Sequence, residues 1–153
     1  MRSLRVRPRV DSATVPRGLP PPELQELLAA PNPCVIATIR PDGELHTAAT
    51  WYEWPGDGTV VVNMDGSRRR LGHMRADPRV SLTVLDGQRW YRHVSLSGRV
   101  REIRRDPALE DIDRIARRYT GGDYRRRERD SWTAVIDVER WHAWDGGRDL
   151  TKT

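Results

Sequence analysis

Apolar and polar positions alternate along this chain in short bursts, and turn residues separate the bursts. The most apolar burst, Thr59-Val60-Val61-Val62, is a β-branched run that predicts a buried strand. Asp65-Gly66 breaks it. Ser67 is placed to cap a short helix in which Leu71 and Met74, three apart, share a face. Asp77-Pro78 closes that helix, because a residue before proline is pushed out of the α region, and a strand follows over Val80 to Val84. Upstream, Pro20-Pro21-Pro22 leads into an amphipathic helix whose Leu24, Leu27 and Leu28 lie on one side. It ends near Pro31-Asn32-Pro33. Cys34 to Ile39 is apolar and of strand length, Pro41-Asp42-Gly43 is a turn, and Leu45 to Trp54 reads as the next strand. By the two-residue period, Tyr52 and Trp54 face opposite to Trp51 and Glu53. Three strands joined by short turns predict an antiparallel meander, since parallel neighbours need long crossovers.

Beyond the Asp86-Gly87 turn, Trp90 to Arg104 alternates well enough for a long strand bent at Gly98. Asp106-Pro107 predicts a helix start, with an acid at the N-cap and proline at N1. Leu109, Ile112, Ile115, Ala116 and Tyr119 form its stripe, and Gly121-Gly122 stops it. Asp123 to Asp130 is dense in charge and predicted to be exposed. Trp132 to Trp144 is the last strand, followed by a polar tail. Six strands in antiparallel runs, with close turns, predict a mainly β barrel or sandwich. The intervening short helices argue against an immunoglobulin-like domain.

A chain of 153 residues is read as one domain with a core of its own. The organisation expected is a loosely held basic arm over residues 1–18, a folded domain over 19–146 and a polar tail over 147–153. The first 18 residues lack the apolar stretch of a secretory signal, and no segment has the apolar length to span a bilayer. With one cysteine, Cys34, no intramolecular disulfide can form, which is compatible with the expected cytoplasmic setting.

The net charge is +5, and 26 of the 27 basic residues are arginine, Lys152 being the exception. That balance favours an anionic partner without choosing among cofactor, nucleic acid and lipid. Nucleic acid ranks last, because no reading helix or stacking motif accompanies the charge. The arginines concentrate at one informative place. Arg68, Arg69 and Arg70 fill the first turn of the helix expected after Ser67, where partial positive charge makes them unfavourable unless an anion docks there. Taken alone, that turn reads as a solvated basic corner of an arginine-rich protein before it reads as a phosphate seat, and Arg125-Arg126-Arg127 reads as a second solvated cluster that is also able to hold carboxylates. His46, His73, His93 and His142 have no metal-binding spacing. No serine-hydrolase elbow, Walker loop or dinucleotide glycine motif occurs. Of the aromatics, Trp51, Tyr52, Trp90 and Tyr91 are nearest in strand order to the arginine turn and are the candidates to line a planar ring.

The stretch ATIRPDGELHTAATWYEWPGDGTVVVNMDGSRRRLGHMRADPRVSLTV, with the later YRHVSLSGRVREIRRDP, IDRIARRYTGGDY and VIDVERWHAWDG, resembles the pyridoxamine-phosphate-oxidase-like split β-barrel proteins. It is most similar to the branch that uses the deazaflavin coenzyme F-420. The resemblance runs from Leu19 to Gly146 and rests on the order and spacing of the segments together. It implies a six-stranded antiparallel split β-barrel of the FMN-binding type, a homodimer with two cofactors at the subunit interface, and hydride transfer to a small organic substrate. By the same resemblance Ser67, Arg68 and Arg70 hold the cofactor phosphate. Thr50 and Asn63 approach its ring and side chain, and Tyr91 and His93 reach it from the other subunit. Gly72 and His73 stand where relatives commonly have Arg-Asn, a departure that bears on cofactor subtype. The alternatives are a flavin mononucleotide (FMN) enzyme, or a cofactor or haem carrier without turnover. Tyr52, His93 and a bound water are the candidates for a proton donor.

Overall fold

In the computed structural model, residues 18–151 are described; all but the last residue of the basic arm read from the sequence lies outside them. Helix α1 (Pro22–Ala29) begins on proline and buries Leu24, Leu27 and Leu28. Strands β1 (Cys34–Ile39), β2 (Leu45–Thr50) and β3 (Thr59–Asp65) follow, then α2 (Arg69–Ala76), β4 (Arg79–Leu85), β5 (Arg92–Arg105), α3 (Glu110–Thr120), β6 (Ser131–Asp145) and the two-residue β7 (Arg148–Asp149). All pair antiparallel in one curled sheet, in the order β2-β1-β4-β5-β6-β3 with β7 on β6. This is the split β-barrel fold expected from the sequence, with β7 as a short addition where a polar tail was expected. The tail pairs because Gly146 and Gly147 both take positive φ (47° and 118°) and turn the chain back on itself.

The meander does not hold at its third strand. β2 and β3 end up at opposite ends of the sheet rather than side by side. The reason is local. β2 stops at Thr50, and the chain after it dives inward: Tyr52 is fully buried, its hydroxyl 2.7 Å from the Leu28 carbonyl and 3.0 Å from that of Ala30. Trp54 is buried beside it, its indole N–H donating to Gln25. The alternation read over 51–54 is correct, but it serves anchorage to α1 instead of pairing with β2. One isolated bridge, with Glu53 and Val61 exchanging N–H···O bonds of 2.9 and 3.0 Å, ties this segment to β3. The chain beyond β2 is thus tied to β3 by this one bridge, and a seam is left between β2 and β3 themselves.

The two long strands carry most of the pairing, and their ladder slips at Ser97/Gly98 and again at Val100/Glu102. The first slip needs glycine, since a Cβ on Gly98 would fall 2.0 Å from the Asp137 carbonyl oxygen. Gly98→Ala is expected to lower the unfolding free energy by about 2 kcal/mol, as overpacking against backbone does. A denaturant midpoint equal to that of the parent protein would contradict this.

Helix α3 starts later than the sequence suggests. Pro107 lies before it, and Leu109 enters in the left-handed region (φ 60°), with its side chain buried. Asp106 still serves the helix end from outside. Its carboxylate accepts the backbone N–H groups of Asp111 (3.2 Å) and Ile112 (3.1 Å). Gly121, at φ 78°, closes the helix as expected.

Candidate functional site

The seam between β2 and β3 opens into a cleft of about 600 Å³. Ala49, Thr50 and Trp51 come from the end of β2, Asn63 from β3 and Arg70 from the first turn of α2. Tyr124 and Arg129 come from the loop after α3, and Cys34 lies at the base of β1. Of the residues expected from the sequence, Thr50, Asn63 and Arg70 are brought together here.

The others are placed elsewhere. Ser67 is exposed and does not cap α2; both its N–H and its hydroxyl donate to Asp65 Oδ1, at 3.0 and 2.7 Å. Arg68 takes the N-cap position with an extended backbone and points no guanidinium bond at the helix end. Asp65 has captured the serine in a local turn, which competes with helix capping. Tyr91, 58% exposed and stacked on Trp90 at 4.2 Å, and His93, whose Nδ1 is 3.3 Å from the Tyr91 carbonyl, lie at the β4–β5 turn outside this chain's cleft. Gly72 is exposed on the outer side of α2, and neither it nor His73 lines the cleft.

Arg70 is the central group. Its Nη1 and Nη2 make only long contacts, 3.5 Å to the Ala49 carbonyl and 3.4 Å to the Thr50 hydroxyl, and its buried Nε has no acceptor. Burial, and then the positive charges of Arg68 and Arg129, push its pKa down. A desolvated guanidinium beside other cations and without a carboxylate is an unfavourable arrangement unless an anion completes it.

Asn63 sits in a buried polar knot. Its amide nitrogen is within 2.9 Å of Ser131 Oγ, 3.1 Å of Thr133 Oγ1 and 3.3 Å of Asp106 Oδ2, and its oxygen accepts Arg129 Nη2 at 2.8 Å. Arg129 also donates Nη1 to the Tyr124 hydroxyl at 3.0 Å, and its guanidinium lies 4.7 Å over the Tyr124 ring. The loop that carries both is fastened by Asp113, which accepts the Tyr124 N–H and both arms of the Arg127 fork. Arg129 was not singled out from the sequence. It stands two residues past the Arg125-Arg126-Arg127 cluster, and no periodicity separates it from them.

An aromatic wall completes the cleft. Trp51, 36% exposed, stacks on Tyr119 at 5.1 Å and 8° and meets Tyr124 edge-on at 6.2 Å. The other aromatic expected nearby, Tyr52, is core. Its pKa is driven up chiefly by burial, and its hydroxyl is committed to backbone carbonyls, so it is withdrawn as a proton donor. Cys34 is likewise inert: burial pushes its thiol up to about 12.

His73 is buried on the far side of α2, its Nδ1 2.9 Å from Thr38 Oγ1 and its ring edge-on to His46 at 5.5 Å. Burial first, then His46, Arg40 and Arg69, depress its pKa below the usual 6.5, with Asp42 opposing weakly. The unfolded chain therefore takes up a proton near pH 6.5 that folded His73 refuses. This contribution to stability is intact above that pH and is lost as the pH falls below it. His73→Gln is expected to flatten the loss of stability between pH 6.5 and 5, measured by denaturant midpoints against the parent. A parallel slope in both proteins would refute the assignment. Among the described residues, no group of three or more His, Cys, Asp or Glu is placed to hold a metal ion, and no helix is long and apolar enough to cross a membrane.

The protein is thus a split barrel whose seam holds an aromatic wall and a half-buried arginine with no carboxylate beside it. The family model for pyridoxamine 5'-phosphate oxidase matches residues 20–145, and the chain belongs to that family. Among solved structures it is similar to an F-420 reductase, at 26% identity and a TM-score of 0.70 over 83% of this chain and 98% of the other. It is also similar to a conserved hypothetical protein from Mycobacterium tuberculosis, at 27% identity and a TM-score of 0.66 over 84% and 86% of the two chains. A likeness to the Group A Streptococcus protein HupZ, at 16% identity and a TM-score of 0.61 over 84% and 96%, concerns the fold alone. No curated protein matches the chain.

Proposed function

We propose that the protein is an oxidoreductase dependent on coenzyme F-420, exchanging a hydride between the deazaflavin and a small organic substrate. The observation that carries the reading is the Arg70 guanidinium, desolvated in the seam with an orphaned Nε and no carboxylate, beside Trp51. The residues present fit such a cofactor. Arg70 and Thr50 would take its phosphodiester, and the Trp51 side of the cleft would shelter the ring. The exposed Arg68 and Arg69, next to Arg70 in the chain, would suit a tail of carboxylates. The cofactor supplies hydride chemistry at its ring; the protein's part is to bind, orient and keep water away. The likeness to an F-420 reductase at 26% identity supports this choice. FMN is the second reading, favoured by the family, whose fold takes flavin-type cofactors, and by the same phosphate-seeking arginine.

The protein is further proposed to work as a homodimer. β2 is partly exposed on both faces and Leu45, Trp90 and Tyr91 are large exposed apolar groups, a distribution suited to a second copy. In that assembly Tyr91 and His93 would approach the partner's cofactor. Parallel spectroscopic titrations of the apo protein with F-420 and FMN test the reading. Tight F-420 binding without flavin retention is expected; co-purifying flavin or haem would overturn it.

A further inference from the structure

Three buried side-chain nitrogen or oxygen atoms among the described residues have no hydrogen-bond partner, and two of them are Arg70 Nε and Arg129 Nε. Both residues line the one cleft, and they lean on the two strands that flank the seam: Arg70 reaches the Ala49 carbonyl and the Thr50 hydroxyl of β2, and Arg129 reaches Asn63 of β3. Other arginines are matched more fully. Arg79, Arg104, Arg114 and Arg127 are each paired with a carboxylate at 2.6 to 2.9 Å, and the half-buried Arg118 donates to the backbone carbonyls of Tyr52, Ala29 and Ala30. Arg70 and Arg129 have neither a carboxylate nor an acceptor for Nε. Two such cations repel each other, a cost that something negative between them would remove.

We propose that Arg129, held in place by Asn63, is the second arm of a two-arginine clamp that closes on a phosphate ester from the side opposite Arg70. The inference rests on the reading of the cleft as a cofactor site and adds to it a residue and a geometry. Donor count favours phosphate over carboxylate. A carboxylate presents its two oxygens in one plane to a fork, whereas a phosphate ester presents two or three terminal oxygens out of plane with one another, which suits forks arriving from two directions. The supporting contacts explain why Arg129 points inward. Its Nη2 is held by Asn63 and its Nη1 by Tyr124, so the edge bearing Nε is the part left over for a ligand. Asn63 is then a positioning residue acting through Arg129. Its own amide nitrogen is already committed to Ser131, Thr133 and Asp106.

The test compares ligands with and without the phosphate, FMN and riboflavin being the pair that differs in nothing else. The full chain and its Arg129→Gln and Arg129→Lys variants are titrated with F-420, with FMN, and with the phosphate-free ring compounds of each, namely the deazaflavin bearing only its ribityl chain and riboflavin. Inorganic phosphate is added to the same proteins in a thermal melt. Arg129→Gln is expected to weaken the phosphorylated ligand tenfold or more and its phosphate-free form less than twofold, and to abolish the rise in melting temperature with phosphate. Arg129→Lys is expected to recover part of the loss, since charge remains and the fork does not. Equal losses for both ligand forms would make Arg129 a structural residue and overturn the clamp, as would no loss at all. F-420 binding that is indifferent to Arg129 leaves the functional reading standing and removes the clamp. FMN binding that is sensitive to Arg129, in a protein that does not bind F-420, does the opposite. Failure of every phosphate-bearing ligand to bind removes both.

Discussion

Arg70→Ala is expected to raise the dissociation constant of the phosphorylated cofactor tenfold or more while leaving the apo protein as stable as before, or more so. The two halves of that result have one cause. In the free protein Arg70 is a half-buried cation whose nearest acceptors are 3.4 and 3.5 Å away, and Arg68 and Arg129 act on it as like charges. Contacts that long contribute little, so truncation removes a desolvated charge without breaking a good bond. In the bound protein the same group would make charge-assisted bonds worth about 1.5–3 kcal/mol each, and 1.4 kcal/mol is a factor of ten in affinity. Binding sites often carry groups that cost stability in the empty state. Isothermal or spectroscopic titration gives the affinity and a denaturant melt gives the stability. A variant that binds as tightly as the parent would end the role assigned to Arg70. One that binds weakly only because it has lost its fold would show a midpoint shift that this account does not allow.

What the sequence makes legible here is mostly what neighbours in the chain decide. β1 is bounded by turn residues on both sides and is found over the same six residues that periodicity predicts, Cys34–Ile39. The β-branched run at 59–62 becomes β3, buried on both faces, and the α3 stripe is buried from Leu109, just ahead of the helix, to Ala116, while Tyr119 is half-buried at the cleft. The failures occur where a distant partner outbids a local preference. Short turns made β3 a neighbour of β2, yet Tyr52 and Trp54 are claimed by α1, and the pairing passes to β6 across more than sixty residues. Ser67 has the composition of a cap and loses its hydroxyl to Asp65.

The cleft shows the same division. Arg70 stands out because three arginines at a helix start are locally unfavourable, and that is visible in one dimension. Arg129 does not, because Arg127 and Arg129 differ only in what they meet: Asp113 on α3 for the first, Asn63 on β3 for the second. Without the folded sheet, nothing in the run from 123 to 130 tells the arginine paired with α3 from the one that lines the cleft.

The junction between fold and cleft is Asp106, and Asp106→Ala is expected to lower the unfolding free energy by about 3 kcal/mol. Asp106 is buried, and its carboxylate oxygens are near four donors: the N–H groups of Asp111 and Ile112, the Ser131 hydroxyl at 3.0 Å and the Asn63 amide at 3.3 Å. Loss of a helix-end acceptor costs about 1 kcal/mol, and each buried donor left without a partner adds about 1–3 kcal/mol. Water entering the space relieves part of that, which brings the total to about 3. The damage is also expected to reach the ligand. With Asp106 gone, Asn63 and Ser131 lose a shared acceptor, and the Asn63 oxygen that holds Arg129 is no longer fixed. Urea unfolding should show a lower midpoint with an unchanged slope, and the fraction still folded in buffer should bind the phosphorylated cofactor more weakly than the parent. The contrast with Arg70→Ala is the informative part. One substitution is expected to separate affinity from stability, the other to lower both together. If Asp106→Ala kept the parent's midpoint, the polar knot would not be the support on which Arg129 rests.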